Sequence, residues 1–365
     1  MMLMAAVRRF QRPLLPHRVN QAARLFFRRR QSYAFSNSEN ASSSNHDSKS
    51  SHKHGGGPAS YSIREPSSSS STTTTTTIRD RVKVISLGKG VVHVLLSRPE
   101  KLNSLDIPMF EAIAEAASRL RDDPALNRNL RAIVMSGEGR AFCTGLDAKG
   151  VALSGSSPSE STRRLLERPS SYGGEGGLGN LAQDVCYLWR RVSSGSSSGL
   201  PVPVIAVLHG MCFGGGLQIA LGADMRFSTP DCRLSIMESR WGLIPDMGAS
   251  ITLREILRMD VAKELTMTGR IISGNEAERI GLVTRCVDDP MEEAMKVVNE
   301  IIERSPDSVA ATKELFQSTW VENDDGTCLT KETDLQMKLI GTWNQIVASG
   351  RQFGVSLPYF QRKGR

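Results

Sequence analysis

The chain has 365 residues, 46 of them basic and 38 acidic, for a formal net charge of +8. Eight arginines (Arg8, Arg9, Arg12, Arg18, Arg24, Arg28, Arg29 and Arg30) equal that whole excess, and all lie in residues 1–38, which hold no acidic residue. The rest of the chain is therefore balanced, which argues against nucleic-acid binding, and no apolar run among those arginines is long enough to span a bilayer.

An arginine-rich, acid-free start reads as an organelle transit peptide, with the mitochondrial matrix as the expected destination and plastid or peroxisome as alternatives. A disordered basic tail is the plainer reading of the same residues. Residues 39–77 are low in complexity, ending in five serines and six threonines, and are expected to form a disordered linker. His52 and His54 within it read as part of a solvated tail, and no metal site is expected. The six cysteines are dispersed without a C-x-x-C pair, which fits a reducing compartment and buried thiols.

Residues 78–290 have the composition of an α/β core. The β-branched runs 82–87 and 91–96 flank Gly88-Lys89-Gly90 and predict a hairpin. Ile107, Phe110, Ile113, Ala117 and Leu120 recur at helical spacing, with Pro108 in a first turn. Residues 132–135 and 204–208 are short apolar runs leading into glycine-containing turns, as buried parallel strands do. Between them, residues 153–199 form a Gly/Ser-rich insertion around a helical segment at 181–192, expected to be a lid or a surface loop, with the lid favoured. Residues 291–365 read as helices only. Their apolar faces (Met295, Val298, Ile301, Ile302, then Val309, Leu315, Phe316) need cover, which a neighbouring subunit would supply.

Two segments carry the chemistry: Gly139-Arg140-Ala141-Phe142-Cys143-Thr144-Gly145-Leu146-Asp147 and His209-Gly210-Met211-Cys212-Phe213-Gly214-Gly215-Gly216-Leu217-Gln218. Each follows a predicted strand and has glycine where backbone must turn or approach a ligand closely. A helix start at 217–221 would offer unpaired N–H groups to a developing oxyanion. Three glycines in a row are, by themselves, equally well a tight turn.

With residues 98–105 (RPEKLNSL), 203–207 (PVIAV) and 241–245 (WGLIP), these segments resemble the crotonase family of enoyl-CoA hydratases and isomerases, over residues 82–287 and, less distinctly, through the C-terminal helices. The resemblance implies an α/β fold: a spiral of βα units in two roughly perpendicular sheets, with a C-terminal helical region and assembly as homotrimers or hexamers. It further implies an acyl-CoA substrate, no cofactor beyond the coenzyme A of that substrate, and a thioester oxygen held by the N–H groups of Leu146 and Gly215. Substrate or CoA contacts are expected from Lys101, Asp147, Ala148, Lys149, Gly214 and Gln218. Either lysine is equally readable as a solvated surface charge.

Family hydratases carry one glutamate two residues after the glycine triplet and another about twenty residues on. Here the first position is Gln218 and the second Glu238. An amide cannot accept a proton at neutral pH, so a single carboxylate moving a proton from carbon to carbon is the expected chemistry, a double-bond shift with Glu238 as base. Asp246 stands where dienoyl-CoA isomerases of the family carry an acid, and it is also a candidate N-cap for a helix over 247–257. The other reading of Glu238 is an exposed glutamate salt-bridged to Arg240. Trp241 and Phe213 are candidates for pocket lining or core. The alternatives are a hydratase or dienoyl-CoA isomerase using Asp246, a non-catalytic binding protein of this fold, and a thioester hydrolase.

Overall fold

The computed structural model describes residues 74–147, 160–172, 179–190, 200–321 and 324–362. The expected transit peptide, nearly all of the linker, and residues Ala148 and Lys149 lie outside the described residues.

Strand β1 (Thr75–Ile78) pairs antiparallel with β2 (Val82–Ser86), which pairs antiparallel with β3 (Val91–Leu96) as the predicted hairpin. The first of these corrects the sequence reading, since three threonines assigned to the linker belong to the sheet. Threonine is β-branched and suits an edge strand, where the backbone ladder (Thr75↔Ile85 to Ile78↔Val82) needs only Ile78 to be buried.

Helix α1 (Ile107–Asp122) begins where Asp106 accepts the N–H of Met109 at 2.9 Å, with Pro108 in its first turn. The short α2 (Pro124–Asn129) leads to β4 (Ala132–Gly137), buried along its whole length. Within the insertion lie α3 (Glu160–Leu166) and α4 (Leu181–Arg190). The second of these is no lid. Leu181, Val185, Leu188 and Trp189 are buried in the main core, and the helix packs on α1. Its flanking glycines and serines suggested mobility, but four large apolar side chains on one helix face require burial. The glycine-rich remainder of the insertion (151–159, 173–178, 191–199) lies outside the described residues.

The chain continues through β5 (Val204–Leu208), β6 (Met211–Phe213), α5 (Gly215–Leu221), β7 (Met225–Ser228) and β8 (Arg233–Ser235). A 3-10 turn (Glu238–Trp241) precedes α6 (Ala249–Ile256), α7 (Met259–Thr268), β9 (Ile272–Ser273), α8 (Gly274–Arg279) and β10 (Arg285–Cys286). Four helices follow: α9 (Pro290–Ile302), α10 (Pro306–Thr319), α11 (Asp325–Leu339) and α12 (Trp343–Gln352).

The strands form two sheets, β1-β2-β3-β4-β5-β7-β10 and β6-β8-β9, and the larger is parallel from β3 onward. One face of the large sheet packs under α1, α4 and α5, and the other under α9, where Ala294, Val298 and Ile302 meet Val134, Ile205 and Phe227. The apolar face of α9 is thus covered by its own chain, not by a neighbour as the sequence suggested. Phe316 on α10, in contrast, stays half exposed, as do Trp320 beyond it and Leu329 and Met337 on α11.

Candidate active site

Two loops meet at the first turn of α5. The loop after β4 is laced to the β5–β6 segment: Phe142 N donates to His209 O and Cys143 N to Met211 O, both at 3.1 Å, and Phe213 N donates to Cys143 O at 3.0 Å. Leu105 holds the next stretch on both sides, donating to Gly145 O at 2.8 Å and accepting from Asp147 N at 3.0 Å. The intervening N–H of Leu146 is left out of that ladder and donates to no acceptor among the described residues.

Gly145 has φ +82°, and a Cβ there would lie 2.8 Å from Phe213 O and 3.3 Å from Gly215 N. Backbone therefore touches backbone, which only glycine permits. Gly214 caps α5 without a side chain, and the N–H of Gly215, in the helix's first turn, likewise donates to no acceptor among the described residues. Added to Gly215, a Cβ would collide with Met247 Sδ at 2.8 Å and Leu105 Cδ1 at 2.9 Å. Two free N–H groups on adjoining strands of backbone can together receive an oxygen that is gaining negative charge.

Glu238 lies beside them. A Cβ on Gly214 would stand 3.4 Å from Glu238 Oε1, so the carboxylate rests over the same turn. Oε1 accepts from Gln218 Nε2 at 2.7 Å, whereas Oε2 is buried with no hydrogen-bond partner among the described residues. No basic group pairs with Glu238 there either, so the salt bridge to Arg240 does not form. Loss of water on burial raises its pKa, and the charge of Asp246 adds to the rise, while hydrogen bonds from its own N–H and from Gln218 oppose it.

The structure removes one role from Asp246. Helix α6 begins two residues later than expected, with Gly248 at φ +96° as its N-cap, so Asp246 does not cap it. The left-handed turn at Gly248 sets the start of the helix, and a sequence reading of Pro-Asp misses it. Asp246 keeps solvent access, yet partial desolvation still raises its pKa.

The remaining expected contacts separate. Asp147 Oδ2 accepts from Arg98 Nη1 at 3.1 Å, an ion pair that ties the 98–105 segment to the glycine loop. Lys101 is exposed at the end of the 3-10 turn Pro99–Lys101. Gln218 is fully buried, and both ends of its amide are bonded within the protein. Trp241 is 64% exposed and is not core, and Phe213 is half-buried beneath the Arg233 guanidinium. Asn103 was missed by the sequence reading. Buried at φ +54°, it accepts from Arg98 N at 2.8 Å and donates to Glu138 O and Ala141 O at 2.9 Å. Asparagine's tolerance of left-handed backbone was the available signal. Cys143 lies beneath the loop, its thiol pushed up to about 12 by burial, too high to act as a nucleophile. Among the described residues no cluster of His, Cys, Asp and Glu has metal-ligand geometry, and no helix is long and apolar enough to cross a membrane.

Two sequence models, both described as enoyl-CoA hydratase/isomerase, match residues 91–173 and 179–349. The carnitinyl-CoA dehydratase of Proteus mirabilis is 32% identical over 232 residues, 63% of this chain and 77% of the relative. The chain belongs to the enoyl-CoA hydratase/isomerase family. The carnitinyl-CoA dehydratase of Salmonella typhimurium is similar at 31% identity over 231 residues, again 63% of this chain and 77% of the relative. The crystal structure of an enoyl-CoA hydratase from Bacillus anthracis superposes with a TM-score of 0.64 at 25% identity, covering 77% of this chain and 99% of that one. An enoyl-CoA hydratase from Polaromonas sp. JS666 does so with a TM-score of 0.61 at 25% identity, covering 77% and 100%. The crotonase fold expected from the glycine segments is the fold of this family member, and the protein is an acyl-CoA-processing enzyme of that family.

Proposed function

We propose that this crotonase-family enzyme shifts a double bond along an enoyl-CoA by carrying one proton on Glu238. The observation that supports this reading is Glu238 itself. It is a carboxylate with one unpartnered buried oxygen, lying over two free N–H groups, while the usual place of a second acid holds the neutral Gln218. The thioester oxygen accepts from Leu146 N–H and Gly215 N–H. Glu238 takes the proton between carbonyl and double bond, and the electron pair moves onto the thioester oxygen as an extended enolate. The protonated Glu238 then returns its proton at the far carbon, which relocates the double bond. A raised carboxyl pKa suits both halves, because it lessens the mismatch with a carbon acid.

A second reading, reversible addition and loss of water, is favoured by Asp246, a second carboxylate close enough for its charge to act on Glu238. Relatives carrying the name carnitinyl-CoA dehydratase point the same way. Coenzyme A enters as part of the substrate, and we assign the contact with its phosphates to Lys101, exposed at the end of its 3-10 turn, and from the sequence alone to Lys149. We assign the protein to the mitochondrial matrix from its acid-free arginine-rich start, and the exposed apolar side chains of α10 and α11 to contacts within a homotrimer or hexamer. Turnover of the purified protein against 3-enoyl-, 2-enoyl- and dienoyl-CoA panels tests the reaction class. Fast conversion of a 3-enoyl-CoA with slow hydration of a 2-enoyl-CoA is the expected result, and the reverse order would move the assignment to the second reading.

A further inference from the structure

Gln218 sits in the middle of α5 with 0% exposure and bonds at both ends of its amide. Its Nε2 donates to Glu238 Oε1 at 2.7 Å, and its Oε1 accepts from Met247 N at 2.9 Å. The orientation of the amide is set chemically. A backbone N–H can only donate, so the oxygen must face Met247 and the NH₂ must face the carboxylate. One side chain thus joins three separate segments: α5, the 3-10 turn that carries Glu238, and the loop that carries Asp246 immediately before Met247.

A carboxylate with no partner swings about a broad, roughly two-fold terminal torsion. A donor fixed to one oxygen removes that freedom and distinguishes the two oxygens. In this protein the bonded oxygen is Oε1, and the buried, unpartnered one is Oε2. We infer that Gln218 is a positioning residue for Glu238, pinning Oε1 to the Met247 backbone so that Oε2 alone takes and returns the substrate proton. This rests on the reading of Glu238 as the base. It also accounts for an amide where an acid is expected: a carboxyl at this place would either repel Glu238 or share its proton. The neighbouring charge that acts on Glu238 is that of Asp246, and α5 contributes the neutral Gln218.

Gln218→Met keeps the side-chain volume and removes the donor. Its N–H bond stabilises the ionised carboxylate, so its loss should move the acid limb of the kcat profile upward by about one to two pH units. Misplacement of the base should lower kcat by up to about 10² while KM for the enoyl-CoA changes little. Gln218→Glu is the second variant. Protonated, it retains both bonds of the brace, so it should fold and show a two-sided pH profile, because the pair is active only while sharing one proton. A ¹³C NMR titration of the Glu238 carboxyl in the resting enzyme, identified by its loss in Glu238→Gln, reads the same shift without substrate. A Gln218→Met enzyme with the parent's Glu238 titration and kcat limb, and lower thermal stability only, would reduce Gln218 to a packing residue and overturn the inference. If that variant does not fold, a one-sided Gln218→Glu profile identical to the parent's overturns it equally. A shifted titration in a protein whose parent turns over no enoyl-CoA would uphold the brace and overturn the proposed reaction instead.

Discussion

The ammonium of Lys313 lies 2.8 Å from Asp224 Oδ2, and it also donates to the carbonyls of Trp189 at 3.0 Å and Val202 at 2.9 Å. The second hydrogen bond of Asp224 Oδ2 comes from Val204 N at 2.8 Å, at the start of β5. One buried lysine on α10 therefore ties the C-terminal helices to α4, to β5 and to the turn after α5. The core side of α10 is built around a charge, which explains why an amphipathic reading of Val309, Leu315 and Phe316 misjudges it.

Replacing Lys313 by Met takes the ammonium donor from two buried carbonyls and the cation from the Asp224 carboxylate, which keeps its bond from Val204 N. Asp224 keeps partial solvent access, so the loss should fall near the low end for a broken buried pair, about 3 kcal/mol. Chemical denaturation of Lys313→Met and Lys313→Met/Asp224→Asn would measure it, and the double variant should recover part of the loss. Equal stability of Lys313→Met and the parent would show that α10 is held by its apolar contacts alone.

The amino-terminal segment makes a prediction that rests on charge pattern alone. Residues 1–73, which stop before β1, should carry a fused fluorescent protein into mitochondria. Diffuse fluorescence throughout the cell would end that assignment, and import into another organelle would redirect it.

Asp246→Asn separates a site role from a structural one. Its folded pKa is raised above the usual aspartate value, so ionisation at neutral pH costs the folded state. That cost is present above the folded pKa and is relieved as pH falls through it, so the neutral Asn should leave the melting temperature unchanged or slightly higher. A cap would have predicted the opposite sign, a loss of about 1 kcal/mol. Removing the negative charge near Glu238 should also move the acid limb of the rate profile to lower pH, because that charge helps to raise the Glu238 pKa. Should kcat instead fall by about 10² or more, Asp246 is itself a proton carrier and the reading by hydration takes precedence.

Much of this molecule was legible where the signal is local and periodic. The apolar run of β5 and the helical spacing of α1 each state their element, because burial imposes period and composition directly on neighbouring residues. The glycine segments showed where backbone turns and approaches closely, but Leu146 and Gly215 were named by the family resemblance and not by the residues themselves. What escaped depends on distant partners. Thr75–Thr77 look like linker until β2 supplies a ladder, and α4 looks like a lid until α1 receives its apolar face. Nothing around Gln218 says that its amide will reach Met247, and nothing around Pro245-Asp246 says that Gly248 will start the helix.

The test with the widest reach is Glu238→Gln. The substituted amide can keep the oxygen that accepts from Gln218 and has almost the same shape, so the brace and the fold should survive. Stability should not fall at neutral pH. The folded pKa of Glu238 is raised, so its charge costs the native state above that pKa, and the amide carries no charge. Thioester binding, which we assign to Leu146 N–H and Gly215 N–H, should persist, so the KM for an enoyl-CoA or the Kd for an unreactive analogue should change little. Proton transfer should not persist. Losing a general base costs about 10² to 10⁴ in rate, and kcat should drop by at least that range with no pH at which it recovers. In the parent, kcat should fall as pH drops through the raised Glu238 pKa, because only the carboxylate accepts the proton, and Glu238→Gln should lack that limb altogether. Residual turnover that keeps the parent's acid limb would mean that another carboxylate carries the proton, and Asp246 would be the first to examine.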